Sequence, residues 1–414
     1  MDSVIEINNI QKDEKKNYLS FDILGDEVNG LDKAFINSIR RTLLSSIPTV
    51  GFRTEGTCDI VIEKNNTSLH NEFIAQRISL IPLYIDPTDY NKDYLFELNV
   101  ESSDDPILSI YSNDFEIYKK NNDIKNNDNI SFNRLNYDML NPLSSKEKEK
   151  ILKPYINPFT QEKEYCLITE LKSTDLKQSL HLYGSPSVAY SYENSKWQAV
   201  SKACYNFKKD DKLFKNTCKE KFEIECKKDN LDKKDFKLFK KKLYISDSEK
   251  YFHKDKKFNS YWYEFNIESQ HYHNPKDLLI NSIEILKNNL DIIKLEIESI
   301  QNDKDSFIQL KNYNDSTYKI LFDGYDDTIG NLIQTYTARY KLTDDSLFSI
   351  IGYKKTHPLK QEIVFTLSFN MNHAKFDKNN HEKNLSNIIA FFKDLLNDII
   401  IIYDKILQQV ITKL

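Results

Sequence analysis

Hydrophobic and polar residues alternate in "SVIEI" and "NYLSFDIL" near the start of the chain, and this pattern predicts two half-buried strands. A helical pattern follows over residues 30–47, where Asn29 is placed to cap the helix and Pro48 to end it. Arg40 lies at the edge of the apolar face and Arg41 outside it, so the two arginines are expected to contact different surfaces. The apolar face consists of Leu31, Phe35, Ile36, Ile39, Leu43 and Ile47.

The stretch "NNTSLHNEFIAQRISLIPL" predicts a short helix that begins after Ser68 and ends before Pro82. Its apolar residues fill an arc of about 180° when set out at ~100° per residue, and Arg77 falls in the middle of that arc. These residues are Leu69, Phe73, Ile74, Ile78, Leu80 and Ile81. A guanidinium in apolar surroundings needs a carboxylate or carbonyl partner. That partner is expected either in the same domain or on another subunit, and Glu72 lies on the wrong side of the helix to supply it.

Two later helical patterns carry apolar residues at alternating steps of four and three. Such a heptad pattern predicts helices that pack along another long helix. The first comprises Leu279, Ile283, Leu286, Leu290, Ile293, Ile297 and Ile300, and the second Ile388, Phe392, Leu395, Ile399, Ile402 and Ile406. Between them lie the strand "TYKILFDG", the helix "YDDTIGNLIQTYTARY" with Ile329 and Ile333, and the strand "EIVFTLSF". The order strand, helix, strand, long helix therefore occurs twice, and the two halves are expected to pair within one chain.

Charge is nearly balanced over the 414 residues, with 58 basic and 63 acidic side chains and a net charge of −5. This composition argues against a surface that binds nucleic acid throughout. The positive charge is local: residues 208–243 hold fourteen lysines and eight acidic residues. A solvated and partly disordered insertion is favoured there over a phosphate-binding surface, because the lysines are mixed with acids and lack aromatic platforms. The Asn-rich segment 119–133 is expected to be a mobile loop.

Motifs for catalysis or metal binding are missing from the sequence. Eight glycines form neither a P-loop nor G-x-G-x-x-G, and H-E-x-x-H does not occur. His271 and His273 are expected to be structural or solvated, because no further ligand lies near them in sequence. The five cysteines, Cys58, Cys166, Cys204, Cys218 and Cys226, show no C-x-x-C spacing and are expected to be free thiols in a reducing compartment. Neither a secretory leader nor a membrane span is expected.

Two stretches together resemble a known family. "FINSIRRTLLSSIPTVGFR", followed by "NNTSLHNEFIAQRISLIPL", is similar to the paired motif of alpha-type RNA polymerase subunits. These are the third subunit of eukaryotic RNA polymerase II, the archaeal D subunit and, more distantly, the bacterial alpha subunit. "SIYSNDFEI", "LITELKSTDLKQSLHLYGSPSVAYSYENSKWQAV" and "YWYEFNIES" resemble further parts of the same family.

The last hundred residues resemble a different member, the eleventh subunit of RNA polymerase II or the archaeal L subunit. The similarity lies in "ILFDGYDDTIGNLI" and "GYKKTHPL". A chain that carries both partners is similar to the arrangement in large cytoplasmic DNA viruses. The segment "YIDPTDYNKDYLFELNV" lies where some relatives carry a cysteine cluster and contains no cysteine. No metal or other cofactor is therefore expected in this chain, whereas zinc and magnesium are expected in partner subunits.

The predicted fold is α+β, with two alpha-like dimerisation domains paired within one chain. The first comprises residues 1–57 and 258–303, interrupted by an inserted, mostly β domain at 58–257 that includes the lysine-rich insertion 208–243. The second comprises residues 314–414. The helix at 277–301 is expected to pack against that at 385–412, and the helix at 30–47 to lie near that at 327–340. The side chains expected at this pairing are Phe35, Ile39, Leu43, Leu279, Ile283, Leu286, Leu290, Ile293, Ile297, Ile329, Ile333, Ile388, Phe392, Leu395, Ile399, Ile402 and Ile406.

The resemblance implies a non-catalytic platform that assembles a multi-subunit DNA-directed RNA polymerase. It implies docking of the second-largest and largest subunits and of a small subunit resembling the tenth, contact with DNA only through the complex, and no homodimer. The residues expected at the subunit interface are Arg40, Arg41, Glu72, Phe73, Arg77 and Leu80. The implied location is the virion and host cytoplasm, or the nucleus if the protein is cellular. The alternative is a free-standing nucleic-acid-binding protein that uses the lysine-rich block.

Overall fold

The computed structural model describes residues 4–26, 31–88, 90, 93–119, 142–173, 177–229, 235–270, 274–300, 307–314 and 316–414. The chain forms two compact units. The first comprises residues 1–44, 201–269 and 274–414, and the second comprises residues 45–200 and 270–273. The predicted boundaries were residues 57 and 257. The first unit instead ends its first segment at residue 44 and resumes at residue 201, in the strand that starts at Val200.

The helices are α1 (Lys33–Ser45), α2 (Asn71–Ser79), α3 (Ser145–Ile151), α4 (Asp211–Asp229), α5 (Phe236–Asp247), α6 (Pro275–Ser299), α7 (Asp327–Tyr340) and α8 (His381–Lys413). The strands are β1 (Glu6–Asp13), β2 (Tyr18–Leu24), β3 (Pro48–Gly51), β4 (Ile60–Asn65), β5 (Tyr94–Glu101), β6 (Ile107–Tyr111), β7 (Glu116–Lys119), β8 (Tyr155–Ile156), β9 (Lys163–Glu164), β10 (Leu167–Lys172), β11 (Ser179–Gly184), β12 (Ser187–Tyr190), β13 (Val200–Phe207), β14 (Trp262–Ser269), β15 (Ile308–Asn314), β16 (Thr317–Asp323), β17 (Phe348–Lys355) and β18 (Glu362–Phe369). None of the described helices meets the length and hydropathy needed to span a membrane.

The first unit contains the same topology twice. One four-stranded sheet has the order β1-β2-β14-β13, and the other has the order β15-β16-β18-β17. In each half a hairpin is followed by a shorter helix, two further strands and a long helix, namely α1 and α6 in the first half and α7 and α8 in the second. Alternating side chains bury one face of each sheet, as "YWYEFNIES" and "EIVFTLSF" predict.

The two long helices, α6 and α8, pack against each other and run antiparallel. Lys287 forms an ion pair with Asp404. Towards the other end, Lys294 Nζ donates to Asn397 Oδ1 at 2.6 Å, and Lys393 pairs with Glu298 at 2.6 Å. Buried side chains line the facing sides: Leu278, Leu279, Ile283, Leu286, Leu290, Ile293 and Ile297 on α6, and Leu385, Ile388, Phe392, Leu395, Leu396, Ile399, Tyr403, Ile406 and Val410 on α8. Ile402 is only half-buried, so its predicted place in the packed face is taken by Tyr403.

Side chains cap the starts of both α6 and α1. The Asn274 side chain accepts a hydrogen bond from the backbone N–H of Lys276, and Pro275 occupies the first turn of α6, as predicted. At α1 the Asp32 side chain accepts from the backbone N–H of Ala34 at 2.7 Å. The predicted cap Asn29 lies outside the described residues, as do His271, His273 and most of the Asn-rich segment.

The lysine-rich block contains two helices, α4 and α5, with a small core. Phe214, Cys218 and Leu243 are buried there, and Phe236, Phe239 and Tyr251 pack against them. The described part of the block is therefore helical, and the expectation of partial disorder stays a prediction for the remainder. The block forms helices because apolar residues occur at helical spacing between the lysines.

The second unit is mostly β. Its largest sheet has the order β4-β11-β5-β7, and the pairs β10-β6, β12-β3 and β8-β9 complete its strands. The core includes Phe52, Phe96 and Phe115, whose rings meet edge to face at centroid distances of 5.2 and 5.8 Å. Helix α2 covers this core with its buried side chains.

Candidate subunit interface

The turn that leads into α2 is organised by the side chain of Asn65. Its Oδ1 accepts hydrogen bonds from the Thr67 backbone N–H at 3.0 Å and from the Thr67 hydroxyl at 2.8 Å. Its Nδ2 donates to Asn71 Oδ1 at 2.7 Å. His70 Nδ1 then caps the helix by accepting from the Glu72 backbone N–H, so that α2 begins at Asn71 and not after Ser68 as predicted.

Only part of the predicted apolar arc of α2 faces the core. Ile74, Ala75 and Ile78 are buried, whereas Phe73 and Leu80 are each 61% exposed. Residues 73, 77 and 80 are separated by steps of four and three and share one side of the helix. The predicted apolar arc therefore combined two groups of residues that face in opposite directions.

Arg77 is exposed between Phe73 and Leu80. Within the described residues it makes no ion pair. Of the two predicted alternatives, a partner in the same domain is not seen among the described residues, and a partner on another subunit stays a prediction. Phe73, Arg77 and Leu80 form one surface, here named the α2 outer face. Glu72 is exposed as well, but on a different side of the helix.

A groove of about 500 Å³ opens at the end of α2. Ile81 and Pro82, which follow Leu80 directly, line it together with Tyr84, Tyr155 and Tyr165. The Lys153 ammonium lies 5.5 Å from the centroid of the Tyr84 ring, and burial raises the pKa of the Tyr84 hydroxyl. This apolar and aromatic lining was missed from the sequence, because its residues come from segments up to 85 positions apart, from Ile81 to Cys166.

The two arginines of α1 contact different partners. Arg41 Nη2 forms a 2.8 Å ion pair with Asp326, and Arg41 Nε donates to Thr328 Oγ1 at 2.7 Å. Arg40 Nε donates to Asn37 Oδ1 at 2.9 Å. Arg41 is thus bound to the start of α7 within the chain, and its place at a subunit interface stays a prediction.

The start of α7 is held by charge and by capping. The Asp326 side chain accepts from the Thr328 backbone N–H at 2.9 Å. Burial raises the pKa of the Asp326 carboxyl, but hydrogen bonds from Thr328 and from the Arg41 guanidinium outweigh burial and leave the pKa below its usual value. The carboxylate therefore stays ionised and stabilises both the helix end and the contact with α1.

The residues predicted for intramolecular pairing are all buried except Ile402. Around α1, the Phe35 ring lies 6.0 Å from Tyr336 of α7 and 5.3 Å from Tyr403 of α8. The packing of α1 near α7 therefore involves aromatic side chains that the heptad pattern did not identify.

A buried ion-pair cluster was also missed. Arg339 pairs with Asp32 at 3.5 Å and with Asp255, and the three side chains are only 3–7% exposed. Sequence patterns gave no signal for it, because its members come from the start of α1, a loop before β14 and the end of α7. Among the described residues no group of three or more histidine, cysteine, aspartate or glutamate side chains is arranged to hold a metal ion.

The sequence matches the family described as the RNA polymerase Rpb3/Rpb11 dimerisation domain over residues 27–290. The chain belongs to this family, whose match runs from just before α1 into α6. The predicted resemblance to alpha-type RNA polymerase subunits is confirmed for that region.

Individual relatives are similar over shorter stretches. The chain is 28% identical to the DNA-directed RNA polymerases I and III subunit rpac1 of Dictyostelium discoideum over 131 residues, 28% of this chain and 36% of that protein. It is 40% identical to the DNA-directed RNA polymerase subunit Rpo3 of Methanosphaera stadtmanae over 63 residues, 15% of this chain and 22% of that protein. It is 37% identical to human RPAC1, a subunit of RNA polymerases I and III, over 73 residues, 17% of this chain and 18% of that protein. The chain thus spans between 18% and 36% of the length of these curated relatives.

Proposed function

We propose that this chain is a non-catalytic assembly subunit of a multi-subunit DNA-directed RNA polymerase. Membership of the Rpb3/Rpb11 dimerisation family supports the proposal, as do the names of the relatives. The zinc and magnesium that such an enzyme requires would reside in partner subunits. The protein would act in the virion and host cytoplasm if viral, or in the nucleus if cellular.

The chain would supply both halves of the dimerisation platform. Two observations support this: the sheet order occurs twice in the first unit, and α6 packs antiparallel to α8. The half formed by residues 314–414 would correspond to the eleventh-subunit-like partner. Because covalent linkage raises the effective concentration of the two halves, they would pair without a separate association step.

The α2 outer face would dock on the second-largest subunit. The observation that carries this assignment is the exposure of Phe73 and Leu80 on either side of an arginine that makes no ion pair among the described residues. Phenylalanine and arginine are both enriched at protein interfaces, and the exposed Leu80 extends the apolar surface beside them. The largest subunit and a small subunit resembling the tenth would join the same assembly.

The test is co-purification of the other polymerase subunits with the tagged full-length chain. Phe73→Ser, Arg77→Ala and Leu80→Ser should each reduce recovery of the second-largest subunit while leaving the melting temperature of the chain unchanged. Phe159→Ser is the matched control, because Phe159 is 93% exposed in the same unit and lies outside α2. Full recovery with the triple variant would remove α2 from the interface, and absence of any polymerase subunit from the wild-type preparation would overturn the proposed function.

A further inference from the structure

The helices α4 and α5 form a hairpin with an aromatic core that fixes the direction of its lysines. The Phe222 ring lies 5.1 Å from Phe236 and 5.4 Å from Phe239, and Phe214 contacts Tyr244 and Tyr251 edge to face. Because this core takes one side of α5, the opposite side faces solvent with a defined set of residues.

The exposed side of α5 is both basic and apolar. Lys237, Lys241 and Lys242 are exposed, and Leu238 and Ile245 are 57% and 76% exposed. None of the three lysines forms an ion pair with a described carboxylate. The sequence places no acidic residue between Asp235 and Asp247, so the positive charge of this side is uncompensated along the helix.

We propose that this side of α5, the α5 outer face, binds an acidic amphipathic helix of a partner protein. Leu238 and Ile245 are seven residues apart, and at ~1.5 Å per residue they lie roughly two turns apart on one line. A partner helix with apolar residues at the same spacing would cover them, while its flanking carboxylates would contact the lysines. Burial of the two apolar side chains and attraction between lysines and carboxylates would then both stabilise the complex.

Nucleic acid fits this surface less well. Phosphates would neutralise the lysines but would leave Leu238 and Ile245 without apolar contacts. The half-exposed ring of Tyr244 is already contacted by Phe214 at 5.7 Å and by the Lys209 ammonium 5.4 Å from its centroid, which leaves less of it for base stacking. The observations therefore favour a protein segment that is itself amphipathic.

The test is fluorescence anisotropy with the full chain. The probe is a labelled synthetic helix of about five turns, with glutamates on one side and leucines on the other. Lys237→Glu/Lys241→Glu/Lys242→Glu should weaken binding of the probe roughly tenfold or more. Lys212→Glu/Lys215→Glu/Lys219→Glu is the matched control: it makes the same charge change on exposed positions of α4 and should change binding less than about twofold.

Two further variants separate the contributions of charge and apolar burial. Leu238→Ser/Ile245→Ser should also weaken binding of the probe, whereas Lys237→Arg/Lys241→Arg/Lys242→Arg should retain it; a thermal melt of each variant checks that the chain is folded. Equal losses in the α4 and α5 charge variants would overturn the proposal. So would unchanged binding after removal of the two apolar side chains, no binding of the probe, or tighter binding of a duplex DNA that is lost only in the α5 variant.

Discussion

Ser38 of α1 and Tyr403 of α8 lie 365 positions apart in sequence, yet their hydroxyl oxygens are 2.6 Å apart in the buried core. The Ser38 hydroxyl donates to the Phe35 carbonyl at 2.7 Å, so it accepts its second hydrogen bond from Tyr403. Burial raises the pKa of Tyr403, which keeps this hydroxyl protonated as a donor. Helices α1 and α8 are thus joined by a defined polar contact within an apolar core.

This bond should appear as coupling in a double-mutant cycle. Tyr403→Phe should lower the free energy of unfolding by about 0.5–1.5 kcal/mol, and Ser38→Ala by about 1–3 kcal/mol because it leaves the buried tyrosine hydroxyl without an acceptor. Urea unfolding should show that Ser38→Ala/Tyr403→Phe costs less than the sum of the single changes. Tyr244→Phe, at a half-exposed position, is the control. Strict additivity of the two buried changes would show that the hydroxyls do not interact.

The contact between Arg41 and Asp326 should make stability depend on pH in the acidic range. The folded-state pKa of Asp326 is lowered, so its contribution is present above the unfolded-state pKa of about 3.9 and is lost as the pH falls through the folded-state value. Asp326→Asn keeps a capping side chain but removes the charge. At neutral pH it should therefore cost only about 0.5 kcal/mol, because the pair is partly exposed.

Urea unfolding of wild type and Asp326→Asn across pH 2–7 would measure this dependence, where the pH limits are roughly those between which carboxyl groups titrate. The difference between the two proteins should shrink towards zero at the acidic end. Asp326→Ala serves as a comparison, since it loses both cap and charge: its deficit should also shrink as the pH falls, but about 1 kcal/mol from the lost cap should remain at the acidic end. A constant difference between wild type and Asp326→Asn would contradict the assignment of charge to this contact.

The long helices could be predicted from the sequence because many regularly spaced residues carry the same signal. The error at Ile402 has a physical origin: a strict seven-residue repeat drifts by about 20° per heptad relative to a straight helix. An extra step of four after Ile399 corrects the drift, so that Tyr403, Ile406 and Val410 face the core. Tyrosine was not counted as an apolar residue of the pattern, and its hydroxyl partner could only be found in the folded structure.

The orientation of α2 and the buried ion pairs could not be predicted in the same way. With nine residues, α2 offers little periodic signal, and its start depends on the side chains of Asn65 and His70, which form contacts specific to this turn. The cluster of Arg339, Asp32 and Asp255 depends on three distant segments that meet only after folding. Sequence patterns therefore predict neither the orientation of a short helix nor the polar contacts between distant segments.

Arg339 should be among the most sensitive positions of the first unit. Arg339→Met should lower the free energy of unfolding by about 3–5 kcal/mol, because it leaves the buried carboxylates of Asp32 and Asp255 without a counter-charge. Arg40→Met, which removes a half-buried arginine from α1, should cost about 1 kcal/mol or less. Thermal and urea unfolding would compare the two variants. Similar small losses for both would show that the cluster contributes little to stability.

Position 330 of α7 requires glycine because Tyr353 of β17 lies close to it. A Cβ at this position would lie 2.6 Å from two ring carbons of Tyr353, so Gly330→Ala must displace that ring. Without that conflict, alanine would stabilise the helix by about 1 kcal/mol relative to glycine. Because the ring must move, we instead expect Gly330→Ala to lower the free energy of unfolding by about 1–2 kcal/mol. In a Tyr353→Ala background the conflict is absent, and the same Gly330→Ala change should raise the free energy of unfolding. Urea unfolding of the four proteins would test this reversal of sign; a loss of stability in both backgrounds would mean that the ring of Tyr353 is not what requires glycine here.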